Sequence, residues 1–177
     1  MTGRSDGQAH RRDREFEAFV AGAAGRLLHV ATLLTAETDQ DNPGARRLLA
    51  GALARTYAGW ERARTDDPYN RTRAELALAF ARGAWRWHRG RGGVLSRLSP
   101  QARLVITLRV YEGVAEEQTA ALLGLPPERV RALAGRATSA LRSRAAGKGA
   151  SGAGGSGAGS AGTGAGAAGS GAGAGAA

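Results

Sequence analysis

Apolar residues recur at steps of three and four along most of this chain, and no stretch alternates apolar with polar residues between turns. That periodicity places one face of each segment on a helical stripe, so the predicted fold class is all-α. Phe16, Val20, Ala23, Leu27, Ala31 and Leu34 mark a first helix over about Asp13 to Thr35. Asn42-Pro43-Gly44 supplies turn chemistry. A second helix from Ala45 is predicted to bury Leu49, Leu53, Tyr57 or Thr56, and Trp60. Thr65-Asp66-Asp67-Pro68 stops that helix and offers cap oxygens to a third, Tyr69 to Trp87, with Leu76, Phe80, Ala84 and Trp87 on its apolar stripe. Ser99 followed by Pro100 opens another, with Leu104, Val105, Leu108 and Tyr111 as the expected buried face. Two further helices are expected over Glu116 to Leu123 and Pro127 to Arg144.

Composition sets the boundaries between these pieces. Residues 145–177 are Gly, Ala, Ser and Thr apart from one lysine, too little side chain to build a core, and are expected to be a disordered tail. Residues 1–12 read as a disordered basic arm. Gly90-Arg91-Gly92-Gly93 carries three glycines in four positions, each disfavouring helix by about 1 kcal/mol relative to alanine, so 90–97 is read as a linker. The predicted organisation is therefore two small helical units, 13–89 and 98–144, flanked by arm and tail. No run of apolar residues is uninterrupted for the roughly 20 positions of a membrane span, and the polar start offers no stretch for a secretion signal. An intracellular protein without a membrane partner is expected. The 177-residue chain has no cysteine and three scattered histidines, which removes thiolate catalysis and zinc-finger ligation. No catalytic residue, metal or cofactor is expected. A net charge of +10 on a small chain favours a polyanionic partner, although the dominance of Arg over Lys is also what a bias toward G and C codons would produce.

The sequence becomes specific in its last two helices. Ala120, Gly124 and Val130 stand at offsets of four and ten, with apolar Leu123, Leu125 and Leu133 around them. A helix-turn-helix needs this pattern: a small residue where the second helix crosses the first, a glycine where the chain turns with left-handed φ, and a branched apolar residue to hold the second helix down. Pro127 presets the opening turn of that helix, and Glu128 complements its dipole. If the unit docks as such units do, the second helix enters the major groove with Arg129, Arg131, Ala132, Gly135, Arg136 and Ser139 facing the DNA, Glu128 beside them. The arginines can reach guanine edges or phosphates. A helical hairpin with a solvated arginine face is the plainer alternative.

Ser99-Pro100-Gln101-Ala102-Arg103-Leu104, Arg109-Val110-Tyr111-Glu112-Gly113 and Glu116-Glu117-Gln118-Thr119-Ala120-Ala121-Leu122-Leu123-Gly124 together resemble region four of the extracytoplasmic-function (ECF) sigma factors of bacterial RNA polymerase. Phe16-Glu17-Ala18-Phe19-Val20, Leu33-Leu34-Thr35 and the stretch Ala52 to Trp60 are similar to the region-two helices of the same family, in the same order. The resemblance implies an ECF-type sigma factor that binds promoter double-stranded DNA through a C-terminal helix-turn-helix and directs RNA polymerase core in transcription initiation. It implies a cytoplasmic protein, nucleoid-associated when DNA-bound, with an anti-sigma factor as a further candidate partner. It also places Trp85, Arg86 and Arg89 near the promoter-melting surface, where a ring can stack on an unpaired base and guanidiniums can follow phosphates.

The chain departs from the family in places. Ala45-Arg46-Arg47-Leu48 and Gly51 stand where the family has an acidic stretch, and the linker of about ten residues reaches at most about 35 Å when extended. Ala115 and Pro126 replace capping serines. These departures motivate the alternative of a sigma-like DNA-binding transcriptional regulator that no longer loads core polymerase.

Overall fold

The computed structural model describes residues 3–152, with side chains from 7 to 146. Among the described residues the chain is helical, with no strand. The elements are α1 (Gly3–Thr35), α2 (Pro43–Ala58), α3 (Trp60–Asp66), α4 (Pro68–Arg82), a 3₁₀ turn (Ala84–Trp87), α5 (Pro100–Ile106), a π-helical turn (Thr107–Tyr111), α6 (Glu116–Leu123) and α7 (Pro127–Gly152). Residues up to Arg142 form one compact unit. The described part of a second unit, from Ser143, is the continued helix α7.

The core forms where the apolar stripes of α1, α2 and α4 meet. Leu27, Val30, Ala31 and Leu34 from α1 pack with Ala45, Leu49 and Ala52 from α2 and Leu76, Ala77 and Phe80 from α4. At Thr56 or Tyr57 the structure chooses Thr56, which is fully buried and accepts a 3.0 Å hydrogen bond from the Thr72 hydroxyl. Tyr57 lies at the edge instead, its hydroxyl receiving a bond from Arg12 at 2.8 Å and donating to Asp13. By length and composition alone, Gly7–Thr35 could cross a membrane, which the broken runs of apolar residues did not lead one to expect. In this fold its apolar stripe is used in the core.

Local chemistry sets most helix ends. Asp67 caps α4 by accepting from the backbone N–H groups of Tyr69 and Asn70 at 2.8 and 3.1 Å. Ser99 caps α5 by accepting from Ala102 N–H at 3.3 Å. The start of α2 is capped from a distance. Asn42 makes no side-chain cap; the buried carboxylate of Glu37 accepts from the N–H groups of Gly44 and Ala45 at 3.1 and 2.7 Å, placing negative charge at the positive end of the helix. The same carboxylate meets Arg91 at 3.1 Å.

Several expectations are corrected. The arm expected to be disordered over 1–12 is helical from Gly3, continuous with α1, and Arg12 is tied to Tyr57. The third helix stops at Arg82, and Gly83 leads into the 3₁₀ turn that carries both tryptophans. Tyr111 is exposed rather than buried, because the π-helical turn, closed by Glu112 N–H donating to the Thr107 carbonyl at 2.9 Å, adds one residue and rotates Tyr111 off the apolar stripe. The start of the expected disordered tail, Ala145–Gly152, continues α7, although its three glycines are as many as its alanines. The rest of that tail, 153–177, lies outside the described residues.

The 90–97 linker is not a gap in the packing. The N–H groups of Arg91 and Gly93 both donate to the Ala36 carbonyl at 3.0 Å, and Leu95 is buried with Ile106 and Ala137. A Cβ on Gly93 would overlap the backbone of Glu37 and Ala36, so only glycine fits this approach. Leu104, Leu108 and Val114 join the same apolar cluster as Leu27 and Phe80. The segments read as two units therefore share a core.

Candidate nucleic-acid interface

Two prolines and a glycine set the turn between α6 and α7. Gly124 has φ +63° and ψ 36°, the left-handed conformation that a side chain resists. Its N–H donates to the Ala121 carbonyl at 3.4 Å, and the Leu125 N–H donates to the Ala120 carbonyl at 3.0 Å, the paired closure by which a helix ends at glycine. The N–H groups of Arg129 and Val130 then bond to the Pro126 carbonyl at 3.0 and 3.2 Å, starting α7. Ala120 and Val130 are buried with Val105 and Leu133, where α6 and α7 cross over α5. Ala115 starts α6 without a side-chain cap, and Glu116 and Glu117 occupy its first turn.

With Val130, Leu133 and Ala137 turned into the protein, the helical repeat turns the other side of α7 outward. Arg129, Arg131, Ala132, Gly135, Arg136 and Ser139 are all exposed on it, as is Glu128. Ala132 and Gly135 leave the middle of that face low, with arginines to either side. Arg131 is engaged with Glu116 at 2.7 and 3.2 Å. The Arg131 side chain is still 73% exposed, whereas its Glu116 partner is largely covered.

The second candidate surface lies at the end of α4. Trp85 is 71% exposed, with the Arg86 guanidinium 5.1 Å from its ring centre. Arg86 and Arg89 are exposed beside it. Trp87 faces the other way, its ring nearly parallel to Phe80 at 6.4 Å and packed on the core.

Besides Glu37, sequence reasoning missed two buried charged groups. Arg103 is fully buried, donating from Nε to the Leu98 carbonyl at 2.9 Å, from Nη1 to the Leu34 carbonyl at 3.0 Å and from Nη2 to the Trp87 carbonyl. Burial away from water pulls its guanidinium below the usual arginine value. The Glu112 carboxylate is fully buried, 3.1 Å from Arg26 and 3.2 Å from Arg73, and accepts from the Tyr69 hydroxyl at 3.0 Å. Burial, then the bond to Glu112, pushes the Tyr69 phenol up, and Glu112 raises Arg26. Neither cluster has a sequence signal, because the partners come from α1, α4 and the 3₁₀ turn, far away in the chain.

Comparison with known proteins agrees with this geometry. Residues 94–143, from just before α5 into α7, match the family described as sigma-70, region 4. Over 153 residues the chain is 33% identical to the RNA polymerase sigma-E factor of Streptomyces coelicolor, covering 72% of this chain and 84% of that protein. No solved structure matches the chain. The chain belongs to the ECF-type RNA polymerase sigma factors, a family of DNA-binding regulators of transcription.

Proposed function

We propose that this protein is a sigma factor that directs RNA polymerase core to promoters, reading duplex DNA with α7. The observation that carries the reading is the two-sided character of α7: Val130, Leu133 and Ala137 are buried while Arg129, Arg131, Ala132, Gly135, Arg136 and Ser139 form one exposed face. Arginine is suited to both jobs on such a face, as a fork against guanine and as a counter-charge for phosphate. Residues 98–144 would act as the promoter-reading region and 13–89 as the region that holds polymerase, with Ala120, Gly124 and Val130 setting the angle of the reading helix.

Trp85, Arg86 and Arg89 serve in this reading as a surface for the melted strand. An exposed indole with adjacent guanidiniums can stack on an unpaired base, a contact of about 1–3 kcal/mol. The protein has no catalytic chemistry of its own. It works in the cytoplasm, on the nucleoid when DNA-bound, and an anti-sigma protein is a further partner. A second reading, a duplex-binding regulator that does not load core polymerase, draws on the exposed Arg46 and Arg47 at the start of α2, which would repel a basic partner there.

The test is run-off transcription with purified core polymerase, alongside a pull-down on core. Wild type is expected to retain core and give defined transcripts. Arg129→Ala with Arg136→Ala should keep core while losing transcripts, and should flatten the salt dependence of duplex binding by about 0.9 per phosphate contact removed. Duplex binding without retention of core would establish the second reading. No duplex binding at low salt would refute both.

A further inference from the structure

The N-terminal end of α1 carries a basic hollow that neither DNA-facing surface uses. Arg12, Tyr57, Trp60 and Arg62 line a cavity of about 180 Å³ where α1 meets the end of α2 and the start of α3. A neighbouring cavity of about 200 Å³ shares Arg12 and Glu61 with it and adds Arg11, Glu15 and Arg64. Four arginines and two glutamates thus stand around the pair. Even with Asp13 at 3.9 Å from Arg12, positive charge is in excess. The place is remote from the surfaces already described. Arg26, which meets Glu112 at the seam between the N-terminal helices and α5–α7, lies about 21 Å further along α1 by the helical rise. The turn that carries Trp85 packs through Trp87 near Gly44, at the opposite end of α2, about 24 Å away on the same measure.

Two N–H groups indicate what the hollow takes. Trp60 is 3% exposed, and its Nε1 is shut away from solvent without a hydrogen-bond acceptor from the protein. Its ring meets Phe16 edge to face at 5.1 Å and Phe19 at 5.6 Å, but an aromatic face is only a second-order acceptor. The Arg12 Nε is likewise buried and unpaired. Nη2 of the same guanidinium is engaged with the Tyr57 hydroxyl at 2.8 Å, and Asp13 at 3.9 Å is beyond hydrogen-bond reach of Nε. A buried donor without a partner carries the whole cost of its desolvation. Two such donors on residues lining one positively charged cavity call for an anionic acceptor from outside the chain. Phosphate suits them better than carboxylate, because it has oxygens enough for the indole, for Nε and for a guanidinium fork at once. We propose that this hollow binds a phosphate group, with Trp60 Nε1 and Arg12 Nε donating to its oxygens and the exposed Arg62 and Arg64 balancing its charge. The group can arrive on a small free molecule or on a nucleic-acid strand, and its chemistry at the site is the same. The inference holds whether or not the protein loads core polymerase.

The chain has three tryptophans, so nitrogen-15 NMR of the full-length protein gives three side-chain indole N–H signals, that of Trp60 being the one lost in Trp60→Phe. Inorganic phosphate, titrated at constant pH against sodium chloride of matched ionic strength, should move the Trp60 signal saturably and leave those of Trp85 and Trp87 in place. An oligodeoxynucleotide without terminal phosphate forms the second arm: a Trp60 signal that answers to it and not to inorganic phosphate assigns the site to a strand, and the reverse assigns it to a free molecule. Arg12→Met should weaken whichever binding is seen about tenfold or more, as the loss of a charge-assisted hydrogen bond requires. Should that variant lose its helical circular dichroism, Arg62→Ala with Arg64→Ala decides, since both side chains are exposed and outside the core; it should weaken binding severalfold. A Trp60 signal that stays in place with both probes, or moves equally in chloride, would overturn the site, as would unchanged affinity in a folded variant.

Discussion

The N-terminal helices and the α5–α7 region are held together by different means. Around α1, α2 and α4, three long stripes interlock and bury Leu27, Leu34, Leu76 and Phe80 completely. The C-terminal helices have a cluster of their own limited to Val105, Ala120, Val130 and Leu133, and they borrow Leu33 and Leu95 through Ile106 and Ala137. A unit of some 45 residues is near the lower limit for an independent core. What it lacks in apolar area it takes from its neighbour through Leu104, Leu108 and the Arg103 and Glu112 clusters. The contrast teaches that a region can have its own function and sequence signature without having its own stability.

The largest effect should come from cutting the shared core. Phe80→Ala is expected to cost about 3–5 kcal/mol in urea unfolding, and circular dichroism and tryptophan fluorescence should report the same transition before and after. If the C-terminal helices instead survived in a second transition at wild-type denaturant concentration, the regions would be independent and the comparison broken. A smaller effect is expected within the C-terminal region. Gly124→Ala meets no atom within 4 Å but must hold φ +63°, so it should cost about 1–2 kcal/mol from backbone strain alone. Urea titration showing no loss would mean the turn does not need its left-handed residue.

The smallest effect concerns the seam at high pH. Tyr69 is raised in the folded protein, so its contribution is fully present below the unfolded phenol value of about 10 and is lost as pH rises beyond it. Thermal melting from pH 9 to 11 should therefore fall more steeply for wild type than for Tyr69→Phe. Parallel curves would remove Tyr69 from the account of what fastens the two regions.

The legible features were those fixed by near neighbours in the chain. Asp67 and Ser99 cap helices two and three residues away, and Gly124 and Leu125 close a turn onto carbonyls three and five residues behind them. Stripe periodicity gave α1 its buried face from Leu27 to Leu34, and the outward face of α7 followed from Val130 and Leu133. Other features depended on distant partners. Glu37 caps a helix across a turn, and no spacing rule announces it. Tyr111 left the stripe because a single added residue made a π turn.

By itself, the sequence determined an all-helical chain, the positions of its strongest caps and the helix-turn-helix that carries an arginine face, because each depends on φ preferences and on a 3.6-residue repeat acting over a few positions. Only the tertiary structure decided that 90–97 would be packed, that Arg103 and Glu112 would be buried, and that the two regions would share a core. A charged side chain enters the interior only where enough hydrogen-bond partners converge on it, and here they come from α1, α4 and the 3₁₀ turn at separations of up to 86 residues.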